Sequence, residues 1–174
     1  HSAVASPATP PAANYFAQAS FVMSAAKLDQ LPQDSLPELA FVGRSNSGKS
    51  SALNMLCNKK ALARVSKTPG RTQLINFFEL QPVEQVEADA EASRRLVDLP
   101  GYGYAAVPVA MKAHWGRLVG DYLQTRQSLR GLFLIVDARR GLKDDDRLLM
   151  EWGQPGGLRL HILLSKCDKL TRNE

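Results

Sequence analysis

The chain has 174 residues, 44% of them hydrophobic and 22% charged, so its length allows one globular domain with a buried core. No apolar run approaches the roughly 20 residues that a membrane-spanning helix requires, which excludes a membrane span. The net charge of +5 and the sequence pI of about 9.4 are compatible with an anionic partner larger than a nucleotide, although many basic surfaces bind nothing.

The two cysteines, Cys57 and Cys167, lie far apart and have no metal-ligand spacing. We therefore expect a reducing compartment and neither a disulfide framework nor a cysteine metal site. The Pro/Ala/Ser-rich residues 1–15 predict a flexible lead-in without a secretory signal, and residues 16–174 are expected to form the domain. The expected location is the cytoplasm.

The hydrophobic pattern along the chain predicts strands and helices in alternation. Residues 16–26 suit a short strand or docking segment, and residues 28–38 a polar linker. The predicted strands cover 38–43, 74–80, 94–100, 131–138 and 158–166. The predicted helices cover 48–60, 108–128 and 143–152, with a loop over 61–73 and a surface hairpin connection over 83–93.

The predicted strands are apolar throughout rather than alternating, which indicates a mostly parallel sheet with helices on both faces. No helix separates the strand over 74–80 from the strand over 94–100, so this pair is expected to be antiparallel. The fold class is therefore α/β with one antiparallel strand pair.

Residues 43–50 match the pattern G-x-x-x-x-G-K-[ST] between a strand and a helix. Backbone N–H groups of such a loop surround a β-phosphate, and the helix that follows directs its positive dipole end at the anion. Lys49 is expected to reach the β- and γ-phosphates and to act in catalysis, while the Ser50 hydroxyl binds Mg²⁺. The predicted nucleotide contacts are Gly43, Arg44, Ser45, Asn46, Ser47, Gly48, Lys49, Ser50 and Ser51.

A D-x-x-G pattern over residues 98–101 follows the apolar strand 94–100. After a phosphate-binding loop, this pattern predicts the γ-phosphate sensor of a GTPase. Asp98 would hold Mg²⁺ through water, and the Gly101 N–H would meet the γ-phosphate.

Residues 165–168 read S-K-C-D, a variant of the better-known N/T-K-x-D pattern, at the end of the last predicted strand. One carboxylate can accept hydrogen bonds from both guanine N1–H and the exocyclic amine, whereas adenine offers neither donor. Ser165, Lys166 and Asp168 are therefore predicted to bind guanine, with the Lys166 stem covering the flat base.

The loop between the first two motifs reads K-T-P-G-R-T-Q over residues 67–73. A Gly/Pro loop with threonines suits a switch segment that becomes ordered when a threonine binds Mg²⁺ and the γ-phosphate. Thr72 is the favoured catalytic and metal-binding residue, Thr68 is the competing candidate, and Gly70 is expected to lie against the nucleotide.

Together, GRSNSGKSSALN, KTPGRTQLINFF, DLPGYGYA and SKCDKL resemble the EngB (YihA/YsxC) group of bacterial GTPases, within the set that includes Era and MnmE. The resemblance covers roughly residues 21–173. It implies a P-loop GTPase that acts in large ribosomal subunit assembly, with an association to normal cell division and septation. The implied partners are GTP, GDP and the large subunit or its rRNA, and a monomer is expected.

Two alternatives remain open. One is an RNA- or ribosome-docking module in which the nucleotide is mainly structural, and Thr72 argues against it because a static module has no need to sense a γ-phosphate. The other is a P-loop ATPase or kinase, which Asp168 argues against.

Two departures from related GTPases bear on the prediction. Tyr102 follows the D-x-x-G motif where Ras-like proteins place a water-orienting Gln, so intrinsic hydrolysis is expected to be slow. Its phenol is expected to turn away from the phosphates, and Tyr102→Ala to change the rate less than tenfold, under about 1.4 kcal/mol. The chain also ends at Glu174, shortly after Asp168, so the C-terminal strand and helix are expected to be missing.

Other polar and aromatic residues have ambiguous patterns. Asn46 either helps to hold a K⁺ ion, which would supply charge in hydrolysis, or stabilises its loop. Asp144, Asp145 and Asp146 fit the acidic first turn of a helix better than a metal site. Trp115 is expected in the core or an interface.

Overall fold

The computed structural model describes residues 15–63, 73–81, 93–103 and 107–171. The strands are β1 (Ser20–Ala25), β2 (Glu38–Gly43), β3 (Ile75–Leu80), β4 (Arg94–Asp98), β5 (Leu129–Asp137) and β6 (Arg159–Ser165). The helices are α1 (Lys49–Leu56), α2 (Val109–Thr125) and α3 (Asp144–Gly153), with short 3-10 helices at Leu28–Gln30 and Cys167–Lys169. Most of the lead-in and of the hairpin connection lies outside the described residues, as do Thr68, Gly70 and Thr72.

The strands form one six-stranded sheet in the order β1-β3-β4-β2-β5-β6. β2 pairs in parallel with β4 and β5, and β5 pairs in parallel with β6, which confirms the mostly parallel α/β sheet. The expected antiparallel pairing of β3 with β4 is confirmed. β1 adds a second antiparallel pairing, with β3, at the sheet edge.

The apolar strands β2, β3, β4 and β5 are largely buried because helices and loops cover both faces of the sheet there. The apolar strand β6 differs from the expectation, because it lies at the sheet edge and most of its side chains are exposed, with Leu164 61% exposed. One core cluster includes Val42, Phe77 and Leu134 together with Trp115 and Tyr122 of α2. The other includes Phe41, Leu96 and Ile135 and packs against Leu53 of α1. The sequence predicted either the core or an interface for Trp115, and the structure places it in the core.

The first helix is shorter than its sequence pattern predicts. It ends at Leu56 rather than near residue 60. Asn58 has a φ of 49°, a left-handed conformation that an α-helix of L-residues does not continue through. None of the helices within the described ranges is long and apolar enough to cross a membrane.

A buried ion pair joins α2 to the start of β2, at the opposite end of this strand from Gly43. Glu38 is fully buried, and its carboxylate accepts a hydrogen bond from the Tyr122 hydroxyl at 2.6 Å. The Arg126 guanidinium donates to both carboxylate oxygens, with Nε at 3.1 Å from each. This cation compensates a carboxylate that would otherwise be costly to bury.

We predict that Arg126→Met lowers the free energy of unfolding by about 3 kcal/mol, because it leaves the Glu38 carboxylate buried without its cation. Denaturant unfolding at neutral pH measures this difference. Arg130→Met, at an exposed position nearby, serves as the matched control and should change stability by less than about 0.5 kcal/mol. Equal stabilities of the two variants would contradict the assigned role of the ion pair.

Candidate functional site

Four parallel strands end at the same edge of the sheet, and each ends at or beside a polar motif. β2 ends at Gly43, β4 at Asp98, β5 at Asp137 and β6 at Ser165. Ligands of open α/β sheets bind in the crevice beyond the carboxyl ends of the strands. The three motifs found in the sequence therefore begin at one edge of the fold.

The loop over 43–50 turns tightly from β2 into α1. The Ser47 N–H donates to the Arg44 carbonyl at 3.0 Å, and Gly48 has a φ of 98° as the N-cap of α1. A Cβ on Gly43 would lie 2.6 Å from Ser47 Oγ and 2.8 Å from the Ile135 carbonyl oxygen, so only glycine fits. The loop thus places the N-terminus of α1, with its free N–H groups and positive dipole end, at the carboxyl edge of the sheet.

Lys49 and Asp98 form an ion pair at this edge. Their side chains are only 12% and 7% exposed, so both charges are largely withdrawn from water. Ser50 follows in the first turn of α1 and is half-buried, while Ser51 is exposed. The structure therefore joins the first two sequence motifs directly, through the two residues predicted to meet phosphate and metal.

The segment after Asp98 packs against the loop over 43–50. The Ser45 N–H donates to the Tyr102 carbonyl oxygen at 2.7 Å. A Cβ on Gly101 would lie 3.2 Å from Ser45 Oγ and 3.5 Å from the Gly43 carbonyl oxygen. Gly101 therefore lies directly against the predicted phosphate-binding loop.

Tyr102 is buried and its hydroxyl donates to Asp146, which agrees with the expectation that the phenol does not take the place of a water-orienting Gln. Burial and the neighbouring carboxylate raise the pKa of Tyr102 well above its usual range. Because the ring belongs to the core, Tyr102→Ala would also remove buried apolar surface, a change of about 3 kcal/mol or more in stability. The sequence did not predict this structural cost.

The S-K-C-D segment is attached to the phosphate-binding loop by two contacts. Ser165 Oγ donates to the Ser47 carbonyl oxygen, and the Lys166 ammonium contacts the Asn46 carbonyl oxygen. Lys166 has a φ of 58°, which turns the chain sharply after β6. The third motif is thus joined to the first.

Asp168 follows in the 3-10 helix Cys167–Lys169. Its side chain is 69% exposed and lies 3.1 Å from the Lys169 ammonium. This carboxylate is therefore open to solvent and accessible to a ligand.

Asp137 is a residue of this edge that the sequence reasoning missed. Its carboxylate accepts from Arg139 Nε at 3.0 Å and Nη2 at 2.8 Å, and lies 3.3 Å from the Lys166 ammonium. The Arg139 hydrogen bonds hold the pKa of the buried Asp137 carboxyl well below its usual range. An acid at the end of an apolar strand, as at Asp98, was the available signal.

Asp146, the second missed residue, lies in the acidic first turn of α3 that the sequence predicted. Of the residues predicted to bind metal, the structure describes Ser50 and Asp98, whereas Thr72 lies outside the described ranges. Within the described part of the chain, no group of three or more His, Cys, Asp or Glu side chains could hold a metal ion by itself.

We predict that Asp137→Asn lowers stability at neutral pH and that its difference from the wild type narrows in acid. The pKa of this carboxyl is depressed on folding, so its contribution is complete above the unfolded value of 3.8 and is lost as the pH falls toward the lower folded value. Denaturant unfolding at several pH values between neutral and about 2.5 checks this. A difference that stays constant down to the acid limit would contradict the assignment.

Comparison with known proteins gives a consistent result. The family model described as 50S ribosome-binding GTPase matches residues 38–166. Proteins named probable GTP-binding protein EngB from Paraburkholderia phymatum and Burkholderia thailandensis are each 55% identical over 157 residues, which are 90% of this chain and 69% of the relative. The crystal structure of a probable GTP-binding protein engB has a TM-score of 0.54 at 22% identity, covers 78% of this chain and 73% of that chain, and supports the fold. The chain belongs to the EngB family of GTP-binding proteins and has the P-loop GTPase fold.

Proposed function

We propose that the chain is a GTP-hydrolysing switch that binds GTP and GDP with Mg²⁺ at the carboxyl edge of the sheet and acts in large ribosomal subunit assembly. The observation that carries the nucleotide site is the junction of the three motifs. Lys49 pairs with Asp98, Gly101 lies against Ser45, and Ser165 bonds to the loop at Ser47. The residues that contact phosphate, metal and base would thus be held at fixed positions relative to one another.

The phosphates would lie at the N-terminus of α1, where the N–H groups of residues 43–51 and the Lys49 ammonium supply positive charge. Mg²⁺ neutralises phosphate charge when bound, and its proposed protein ligands are the Ser50 and Thr72 hydroxyls and, through water, the Asp98 carboxylate. A bound phosphate would offer Lys49 the negative charge that Asp98 now supplies. A divalent cation would offer Asp98 the positive charge that Lys49 now supplies. The two residues can therefore exchange partners without leaving a buried charge unpaired.

Ser50→Ala should lower the Mg²⁺-dependent gain in GTP affinity and the turnover rate by about tenfold or more, while the fold survives. The measurement is a Mg²⁺ titration of GTP binding and hydrolysis. Ser35→Ala is the matched control, since Ser35 is exposed just before the opposite end of β2. If the Mg²⁺ titration of Ser50→Ala matches that of the control, Ser50 is not a metal ligand.

The base would bind at the S-K-C-D segment. The exposed Asp168 carboxylate can accept from guanine N1–H and the exocyclic amine, and the Lys166 stem would cover one face of the base. The contacts of Ser165 and Lys166 with the 43–50 loop would fix the distance between base and phosphates. ATP would leave Asp168 facing an edge that offers it neither of these donors.

Asp168→Asn should weaken GTP binding by about a hundredfold and strengthen binding of xanthosine triphosphate, which carries a carbonyl in place of the exocyclic amine. Competition binding with both nucleotides measures this exchange of preference. Asp121→Asn, at an exposed position of α2, should behave as the wild type. An unchanged preference for GTP in Asp168→Asn would remove this residue from the base site.

Intrinsic hydrolysis is proposed to be slow, because the buried Tyr102 leaves no side-chain amide in the position of the Ras-type Gln. A cation near the transferred phosphate would stabilise the transition state. The structure leaves both alternatives for Asn46 open: it has a φ of 64° and its carbonyl accepts from Lys166. Its role in holding K⁺ stays a prediction.

The ribosomal role rests on the description of the matching family model, 50S ribosome-binding GTPase, and on the charge of +5. Lys60 and Arg140 are exposed and available to an RNA backbone. Arg139 is also exposed, but its guanidinium is hydrogen-bonded to the Asp137 carboxylate, which makes it less available. Lys59 is less available, because its ammonium contacts the Ala19 carbonyl oxygen. The proposal includes a monomer that acts in the cytoplasm, and the family association extends it to cell division and septation.

Association with large ribosomal subunits should weaken steeply between about 50 and 200 mM salt, and Arg140→Gln should weaken it further. Co-sedimentation with GTP or GDP present across a salt series measures both effects. Arg130→Gln, exposed near the other end of β5, is the control. Salt-insensitive binding would contradict rRNA docking, and equal binding with GTP and GDP would favour a docking module with a structural nucleotide over a switch.

A further inference from the structure

Tyr102 follows directly after Gly101 and is only 6% exposed. Its hydroxyl donates to Asp146 Oδ1, and its ring centroid lies 4.9 Å from that of Trp115. The side chain therefore ties the segment after Asp98 to both α2 and α3. The binding of phosphate, metal and base that is proposed for the motifs does not require a tyrosine at this position.

Asp146 is a well-fixed acceptor for this hydroxyl. It is 1% exposed and lies in the first turn of α3. Its other oxygen, Oδ2, accepts from the Lys143 N–H at 2.7 Å, which caps the same helix. Both carboxylate oxygens are thus engaged, and the Tyr102 hydroxyl is held by a helix rather than by a loop.

The backbone on both sides of Gly101 is also bonded. The Trp115 indole N–H donates to the Pro100 carbonyl oxygen at 2.8 Å, and the Ser45 N–H donates to the Tyr102 carbonyl oxygen at 2.7 Å. A glycine has the freest backbone of any residue, so without such contacts its N–H could point in many directions. The first contact fixes the peptide plane between Pro100 and Gly101, which carries the Gly101 N–H, and the second fixes the peptide plane that follows Tyr102.

We propose that Tyr102 is a positioning residue for hydrolysis, which holds the Gly101 N–H toward the γ-phosphate through its bond to Asp146. This inference rests on the proposed function, in which Gly101 meets the γ-phosphate. A preorganised N–H donor stabilises developing charge without reorganising during the reaction. GDP lacks a γ-phosphate, so the bond matters for GTP hydrolysis and little for GDP binding.

A core tyrosine without this role would affect stability alone, and the chain contains a matched example. The hydroxyl of Tyr122, in α2, donates to the buried Glu38 at 2.6 Å, at the start of β2 and so at the opposite end of this strand from Gly43. Tyr102→Phe and Tyr122→Phe each remove one buried phenol–carboxylate hydrogen bond and keep the ring. They differ in whether the lost bond adjoins Gly101.

The test is single-turnover GTP hydrolysis and GDP affinity of the two variants, at a temperature where circular dichroism shows both folded. Tyr102→Phe should hydrolyse GTP about fivefold more slowly, equivalent to about 1 kcal/mol in the barrier, with GDP affinity changed less than about twofold. Tyr122→Phe should hydrolyse GTP at the wild-type rate. Asp146→Ala should slow hydrolysis similarly, and adding Tyr102→Phe to it should cause little further loss.

The outcomes separate this inference from the proposed function. A wild-type rate in Tyr102→Phe, or an equal loss in Tyr122→Phe, overturns the positioning role while GTP hydrolysis by the wild type stands. Parallel losses of GDP affinity and hydrolysis also overturn it, because they would indicate a disturbed nucleotide site as a whole. Absence of hydrolysis in the wild-type protein would instead refute the proposed function.

Discussion

The close approach of Gly43 to its neighbours is the constraint on which the site depends. A Cβ at this position would meet Ser47 Oγ at 2.6 Å and the Ile135 carbonyl oxygen at 2.8 Å. Only a residue without a side chain lets the loop fold back over the end of β5. This turn aims α1 at the carboxyl edge and presents the Ser47 carbonyl to Ser165. The S-K-C-D segment is therefore held by the same turn that forms the predicted phosphate-binding loop.

Charge at this edge is arranged so that buried ions are paired. Lys49 pairs with Asp98, while Asp137 pairs with Arg139 and Lys166. A buried charge without a partner is costly, so a ligand that separates such a pair must supply a replacement for each member. A magnesium-bound polyphosphate carries both signs of charge and meets that requirement. The electrostatics thus favour a metal–nucleotide complex over an isolated anion.

The hydrophobic pattern predicted most helices and strands, because its period depends only on residues that are close in sequence. The lack of a helix between β3 and β4 predicted their antiparallel pairing. The pattern was insufficient for the pairing of β1 with β3 or for the early end of α1, where Asn58 adopts a left-handed conformation. The order and spacing of the three motifs predicted that Lys49, Asp98 and Ser165 belong to one site. Asp146 was interpreted only as part of a helix start, since its bond to Tyr102 joins residues 44 positions apart.

Nucleotide selectivity of the wild-type protein tests the central claim, that the three motifs form one guanine nucleotide site, most directly. Equilibrium affinities for GTP, GDP and ATP in the presence of Mg²⁺ measure it. Because Asp168 would lose two donors with adenine, GTP and GDP should bind at least about a hundredfold more tightly than ATP. Comparable affinity for ATP, or no nucleotide binding, would contradict the account.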